Sequence, residues 1–372
     1  MKITSVEIVE LSHPLTRAAG PAAVLNKARG CLLVSIHTDD GVVGWGEAVP
    51  FAGIRELILD AFAPRLIGRD PVEIQRTWRD PWMVPYQSAL AVSAIDVALH
   101  DLWGKAIGVP VHQLYGGAFR HLVPAYASAG LYLEGVDPAD HWLSEAMGLV
   151  ERGFKAVKLR MGRFDPDYEL PLIRKVRETV PANVRLMVDA WGSYTLPTAI
   201  RVGRELQDMG FYWYEEPINQ NGYHGYEVLT DRLDIAIAGG ENVQSRAGAK
   251  ALFDRRAIDI LQPDVSLCGG ISDFLFMADL AALYGIRCIP HSFNSAVTAA
   301  ASAHAAALLP EPTLMPGVDV PMMEYDTTEN LLMTDLLREP LVFRDGGFVL
   351  PEGPGLGIEI DIAFVKKYRV DR

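Results

Sequence analysis

Cysteine is scarce in this chain. Cys31, Cys268 and Cys288 are the only three, and none stands at the spacing of a metal knuckle. A sparse, odd count excludes a disulfide scaffold and fits free thiols in a reducing compartment. Cys288 falls in an apolar strand-like run and is expected in the core. Long apolar runs are also missing. None approaches the ~20 residues of a membrane span. The opening Met1-Lys-Ile-Thr-Ser-Val-Glu7 has no stretch of signal-peptide length. A cytoplasmic protein without a membrane partner is expected. Positive charge is in deficit: 34 Lys and Arg stand against 47 Asp and Glu, a net charge of −13. That balance argues against nucleic acid or an anionic membrane as partner. It leaves room for an anionic substrate, because a local cluster of metal, Lys and Arg can override the global field. The length, 372 residues, suits a barrel plus a second domain.

Three acidic residues stand at an even interval. Asp189, Glu215 and Glu241 are 26 residues apart both times, and each follows a short apolar run. That interval is about one strand, one helix and two loops. Three consecutive βα units would place the carboxylates at the same end of neighbouring parallel strands, where a barrel gathers its functional residues. Converging carboxylates repel one another unless a cation lies between them, and all-oxygen ligation favours a hard ion such as Mg²⁺.

The rest of the chain supports such a barrel. Residues 1–50 read as antiparallel β-structure, with Asp39-Asp-Gly41 as a hairpin turn. The polar stretch 13–30 is expected as a long loop, of the kind that serves as a lid or binding loop. Residues 54–110 read as helical, most clearly from 88 to 107, ended by Gly108-Val-Pro110. His100 and Asp101 lie there and are expected to be packing residues. From about 123 the pattern alternates. Strand-like runs fall at 123–127, 156–160, 185–189, 213–215, 236–238, 258–262, 287–290 and 322–324, with helices such as 165–179 and 196–209 between them. The expected fold is α/β: a (β/α)7β modified TIM barrel over 121–339, with an α+β capping domain over 1–120 that residues 340–372 complete. Gly355-Leu-Gly357 lacks the flanking strand and helix of a nucleotide motif.

Almost every strand end carries a polar residue. Lys158 and Arg160 are two apart on one strand and face the same way, whereas Lys155 is out of phase. Asp264 follows the sixth strand, His291 ends the seventh and Glu324 ends the eighth. A carboxylate on an adjacent strand can fix the tautomer of His291 and raise its basicity. That makes a general base.

These residues resemble the mandelate racemase/muconate lactonizing enzyme branch of the enolase superfamily. The resemblance runs through Gly44-Trp-Gly-Glu47, Ala94-Ile-Asp96-Val-Ala-Leu-His-Asp101, Lys158-Leu-Arg160, Val188-Asp189-Ala190 and Glu215-Glu-Pro217. It continues through Gly240-Glu241-Asn242, Gln262-Pro-Asp264 to Gly270, Pro290-His291-Ser292 and Glu324-Tyr-Asp326. It implies Mg²⁺ on Asp189, Glu215 and Glu241, His291 as base supported by Asp264, and Glu324 opposite, hydrogen-bonding the substrate carboxylate. The family's shared step removes a proton α to a carboxylate. The metal would act as a Lewis acid, with Lys158 and a protonated Glu324 adding charge and a hydrogen bond.

One departure decides the expected reaction. The family's usual strand-two motif is Lys-x-Lys, whose second lysine is a base on the opposite face. Here that position is Arg160, which stays protonated. A racemase needs two bases; a syn-dehydratase needs one, because His291 can take the α-proton and then protonate the departing β-hydroxyl. Dehydration of an acid sugar is therefore expected. A sugar-lactone cycloisomerase also needs one base and is the alternative. Epimerase chemistry returns if Lys158 is deprotonated and Arg160 only anchors substrate. A non-catalytic sugar-acid-binding protein is the candidate outside enzymology. Specificity is expected from the capping domain, through Arg17, Asn26, Lys27 and Arg29 and the turn at 50–53; the aromatics Trp82, Tyr86, Trp191 and Tyr194 are candidates for lining the site, although most aromatics are core. A homo-oligomer is expected.

Overall fold

Three antiparallel strands open the chain: β1 (Ile3–Gly20), β2 (Asn26–Thr38) and β3 (Val43–Ala48). The computed structural model describes residues 1–74, 88–315 and 317–370. β1 pairs with β2 from Ile3 opposite Thr38 to Ala19 opposite Asn26, and β3 pairs with the other edge of β2. The hairpin expected at 39–41 is present, with Gly41 in the left-handed region (φ 83°). The long loop expected over 13–30 is not. That stretch is the outer half of the β1–β2 ribbon, turning at 21–25. Pro14, Gly20 and Pro21 mimic loop composition. The ladder accommodates Pro14 by slipping register between Pro14 and Ala19, as strands do where an N–H is lacking.

The helix Ala89–Ile107 lies across this sheet. A Cβ on Gly44 would fall 2.2 Å from the Ala98 carbonyl oxygen, and one on Gly46 would fall 2.0 Å from that of Ala94. Strand and helix backbones therefore touch, which only glycine allows. Ile8, Val34, Ile36, Phe62, Ile95 and Leu102 fill a core belonging to this layer.

The barrel strands are β4 (Leu122–Ser128), β6 (Ala156–Arg160), β7 (Arg185–Asp189), β8 (Trp213–Glu215), β9 (Ala236–Gly239), β10 (Ile260–Leu261), β11 (Arg287–Cys288) and β12 (Met323–Asp326). They run parallel in that order, and β12 pairs with β4 from Met323 opposite Ala125 to Asp326 opposite Ser128. Helices between successive strands cover the outside, such as Pro166–Thr179, capped by the Asp165 carboxylate on the Asp167 N–H, and Leu196–Asp208. The architecture is a (β/α)7β barrel with an α+β capping domain. β5 (Tyr132–Leu133) leaves the barrel to pair with Ala19 and Gly20 of the ribbon. The ribbon's turn thus docks on loops at the carboxyl ends of the strands, where the Arg163 guanidinium also donates to the Ala22 carbonyl (2.8 Å). After the barrel, β13 (Phe343–Arg344) and β14 (Gly347–Val349) form a hairpin whose second strand pairs antiparallel with β4. The helix Ile362–Tyr368 follows, and Val370 N–H donates to Glu10 O of β1 (2.9 Å). Among the described residues no helix is long and apolar enough to cross a membrane.

Candidate functional site

Tyr126, Ala156, Met187, Trp213, Ile260, Ile289 and Met322 meet inside the barrel as a buried apolar plug. Side chains two apart on a strand share a face. Two residues beyond Ala156, Met187, Trp213, Ile289 and Met322 come Lys158, Asp189, Glu215, His291 and Glu324. The plug is thus the floor of a cavity mouth whose walls are charged. Phase also accounts for Lys155, which is exposed.

Lys158 and Arg160 are buried among acids. Lys158 Nζ lies 2.5 Å from Glu215 Oε1, 2.9 Å from Glu324 Oε1 and 3.5 Å from Asp189 Oδ2. Arg160 pairs with Asp189 Oδ2, donates to Ser128 Oγ at 3.1 Å, and lies over the Phe293 ring. Burial favours the neutral amine of Lys158, but Glu215 and Glu324 outweigh it and hold the ammonium form well above the ordinary lysine range. Burial likewise opposes the charge on Arg160, and Asp189 overrides it. Both side chains are fixed cations.

Across the mouth, His291 Nδ1 lies 2.6 Å from Asp264 Oδ2. Asp264 also accepts from Ser266 N–H (2.7 Å) and Ser266 Oγ (2.6 Å), so its carboxylate is held from two sides. The ring's Nε2 faces Glu241 Oε2 at 3.2 Å and Glu324 Oε2 at 3.4 Å. Burial favours neutral imidazole, yet Glu324, Glu241 and Asp264 push its pKa up to about 10. These carboxylates favour the protonated ring. Glu324 was expected to be protonated. Burial acts in that direction, but Lys158, His291 and Arg160 hold it well below the usual carboxylate range. Glu324 is a carboxylate that bridges the Lys158 and His291 sides.

The mouth holds more carboxylate than its cations neutralise. Burial, with Asp189 and Glu324 close by, pushes Glu215 up to about 7 despite Lys158. Burial and the charge of Glu241 push Glu216 well above the carboxylate range. Asp189 is held below that range: burial would raise it, but Arg160 and Lys158 prevail. Asp189 and Glu215 are register partners on β7 and β8. Glu241 lies just past β9 and turns to His291, so the three do not form a closed ligand set. Among the described residues, only His112, His121 and Glu352 bring three ligand atoms within 4.8 Å of one another. Three carboxylates on consecutive strand ends, in a site short of positive charge, are nevertheless a donor set of the kind a hard divalent ion takes. The backbone beside them is left-handed at Trp191 (φ 46°) and Glu216 (φ 41°), strain of the sort found at functional sites.

Sequence reasoning did not single out several supporting groups. The Trp213 indole N–H and the Gln262 amide donate to Glu215 Oε2 at 3.0 and 2.8 Å. Asn294 donates to Ser266 Oγ at 2.8 Å. Gln262 stands two residues past Ile260, and that phase was the available signal. Of the capping residues, Arg29 reaches the barrel, pairing with Asp326 Oδ2 (3.0 Å) and lying 4.2 Å from the Phe293 ring centroid. Arg17 and Lys27 are exposed on the ribbon and line a small cavity of about 430 Å³ with Thr16 and Glu134; Arg17 donates to the Glu134 carbonyl (3.2 Å). Tyr194 packs against the core, its hydroxyl 3.4 Å from Glu169 Oε2. Trp82 and Tyr86 lie outside the described residues. Buried Glu47 joins the two domains: it accepts from the N–H and hydroxyl groups of Ser295 and Thr298, at the start of the helix Ala296–Ala307.

Residues 4–116 match the family described as Mandelate racemase / muconate lactonizing enzyme, N-terminal domain, and residues 142–364 match Enolase C-terminal domain-like. The D-galactarolactone cycloisomerase of Agrobacterium fabrum is 36% identical over 378 residues, covering 100% of this chain and 99% of that protein. The D-xylonate dehydratase of Haloferax volcanii is 30% identical over 363 residues, covering 91% and 85%. In a solved structure, the 3,6-anhydro-D-galactonate cycloisomerase of Zobellia galactanivorans superposes with a TM-score of 0.88 at 31% identity, covering 100% of both chains.

Proposed function

The chain belongs to the mandelate racemase/muconate lactonizing enzyme family of the enolase superfamily, and we propose that it dehydrates an acid sugar to a 2-keto-3-deoxy acid by removing the α-proton and eliminating the β-hydroxyl. One observation carries this reading: one side of the mouth offers an imidazole, and the opposite side offers two cations. His291, oriented by Asp264, presents Nε2 to the cavity. The opposite wall offers Lys158 and Arg160, both held protonated. A two-base racemization therefore lacks its second base.

In this proposal His291 takes the α-proton in its neutral form, which requires that the Glu241 and Glu324 charges facing its Nε2 be offset. As imidazolium it then delivers a proton to the β-oxygen, which leaves as water, and the enol product ketonises. Lys158 and Arg160 supply fixed positive charge where the substrate carboxylate gains negative charge. Asp189, Glu215 and Glu241 are assigned to Mg²⁺, the ion typical of the family. When bound, Mg²⁺ acts as a Lewis acid on the substrate carboxylate. Arg29 shares the Phe293 ring with Arg160 and is the candidate for contact with the polyol chain. Arg17 and Lys27 are assigned only to an outer approach.

A second reading has its own support. The cycloisomerase relative matches the chain from end to end. Opening a sugar lactone by β-elimination uses the same single base, with the ring oxygen as leaving group and no water lost.

NMR in D₂O, with Mg²⁺ and a panel of acid sugars and their lactones, tests both. A 2-keto-3-deoxy acid carrying one solvent deuteron at C3 is expected from an acid sugar, and an opened isomer from a lactone. Clean interconversion of α-epimers without elimination would overturn the one-base reading.

A further inference from the structure

Two imidazoles and a carboxylate meet at the end of the barrel away from the mouth. His112 lies in the short helix Val111–Tyr115, His121 directly precedes β4, and Glu352 follows β14. The mouth is at the carboxyl end of β4, so His121 marks the opposite end. His121 Nδ1 is 2.6 Å from Glu352 Oε1, and His112 Nε2 is 4.0 Å from Glu352 Oε2. One ligand atom from each of the three lies within 4.8 Å of the others.

The neighbours of His112 fix which nitrogen is bare. His304 is buried, and its Nε2 lies 3.2 Å from the Leu356 carbonyl oxygen. A carbonyl only accepts, so His304 carries its hydrogen on Nε2 and presents a lone pair at Nδ1. His112 Nδ1 lies 3.2 Å from that lone pair, with the two rings stacked at 5.3 Å. His112 must therefore donate from Nδ1. With Nδ1 committed to His304, Nε2 is the nitrogen of His112 left for a ligand. That atom is buried with no hydrogen-bond partner, on a residue only 1% exposed, and it lies 4.0 Å from Glu352 Oε2 in the cluster with His121.

We propose that His112 Nε2, His121 Nδ1 and the Glu352 carboxylate form a second, structural metal site for a borderline divalent transition ion, zinc being the reference. Two imidazoles and one carboxylate suit Zn²⁺ and disfavour Mg²⁺, which prefers oxygen throughout. Zn–N and Zn–O bonds of about 2.0–2.2 Å put neighbouring ligand atoms of a tetrahedral shell about 3.4 Å apart. The observed 2.6 and 4.0 Å bracket that spacing. The relay from Leu356 through His304 presets His112, as an outer partner presets a zinc-bound histidine. His121 and Glu352 have exposed side chains that are free to adjust. An exposed His121–Glu352 ion pair contributes little by itself and leaves the bare Nε2 unexplained. The ion would tie the segment joining the capping domain to the barrel onto the C-terminal segment. Its effect belongs to stability, as is usual at this end of a barrel.

The test is equilibrium dialysis of the full chain against Zn²⁺ in excess Mg²⁺, with thermal unfolding read in parallel. One Zn²⁺ per chain should be retained, and Tm should rise. His121→Ala and Glu352→Gln, both at exposed positions, should each weaken Zn²⁺ binding at least tenfold and remove the rise, with turnover unchanged. Glu241→Gln, in the mouth, should retain the ion. Failure of the native chain to hold Zn²⁺ against Mg²⁺, or equal binding by native chain and both variants, overturns the proposal.

Discussion

His291 is the residue on which the chemistry turns, and its environment orders the expected effects. Asp264 fixes Nδ1, while Ser266 and Asn294 hold Asp264 and its surroundings in place. His291→Asn removes the proton acceptor. It should lower kcat by about 10²–10⁴-fold, the range for loss of a positioned general base, with far-UV and near-UV circular dichroism unchanged. Asp264→Asn keeps the imidazole but loses its orienting charge, and a loss of about 10–100-fold is expected. Steady-state kinetics together with exchange of the substrate α-hydrogen in D₂O check both. Native rates of α-exchange in His291→Asn would remove His291 from the reaction. Which residues stand at the strand ends could be read from the period-2 phase of each run. What each one pairs with could not. Arg160 falling on Asp189, Lys158 on Glu215, and Glu241 on His291 are choices among several acids within reach, and only side-chain positions decide them.

At the scale of elements, the helix Ala89–Ile107 joins the capping sheet to the barrel. Asp96 accepts from Ser272 N–H (3.2 Å) and hydroxyl (2.7 Å), at the start of the barrel helix Gly270–Leu283. A Cβ on Gly270 would fall 2.2 Å from Asp96 Oδ2. Asp96 lies in the motif Ala94–Asp101 and Gly270 ends the motif Gln262–Gly270, and nothing in either stretch of sequence tells of their mutual contact. One turn on, His100 Nδ1 donates to the Asp96 carbonyl (2.8 Å), lies 3.3 Å from Asp96 Oδ2, and has Nε2 2.6 Å from Tyr115 Oη. Burial favours neutral His100, but Asp96 raises its pKa above the ordinary value; the same pair, against burial, lowers Asp96. The raised histidine binds its proton more tightly in the folded state. Its contribution is full below the unfolded pKa near 6.5 and is lost as pH rises through the folded value. The Asp96 contribution is full above its unfolded pKa near 3.9 and is lost only as pH falls through its lowered folded value. Urea unfolding midpoints should therefore decline as pH rises from 6 into the alkaline range, and His100→Gln should flatten that slope. An unchanged slope in the variant would mean that His100 does not hold the proton. The ribbon over 13–30 shows the opposite kind of illegibility. Composition pointed to a loop, but pairing along the arm on both sides of the slip between Pro14 and Ala19 supplied backbone hydrogen bonds that local propensity does not report.

The whole molecule combines a net charge of −13 with a mouth that gathers buried acids onto two fixed cations and one histidine. The (β/α) rhythm and the apolar floor were legible because each strand repeats the same phase and each helix the same spacing. The electrostatic state was not, because it depends on burial and on distances between segments far apart in the chain. It shows as strain of charge: Glu215 is pushed up to about 7, and Glu216 is pushed well above the ordinary carboxylate range. A divalent cation held by Asp189, Glu215 and Glu241 would relieve that repulsion in the folded state alone, since the unfolded chain does not bring the three together. Binding to the native state stabilises it by RT ln(1 + [L]/Kd), about 2.7 kcal/mol at a hundredfold excess over Kd. Tm should accordingly climb with Mg²⁺ concentration and fall back when a chelator is added. Glu241→Gln removes one donor from the rim of the mouth, where the side chain is partly exposed, and should leave the apo fold standing while shifting the Mg²⁺ titration to at least tenfold higher concentration. The Zn²⁺ response at the far end of the barrel should persist in that variant. If native chain and Glu241→Gln titrate identically with Mg²⁺, or if neither responds, the three strand-end carboxylates are not the metal site. The excess negative charge would then have to be balanced by Lys158, Arg160 and His291 alone.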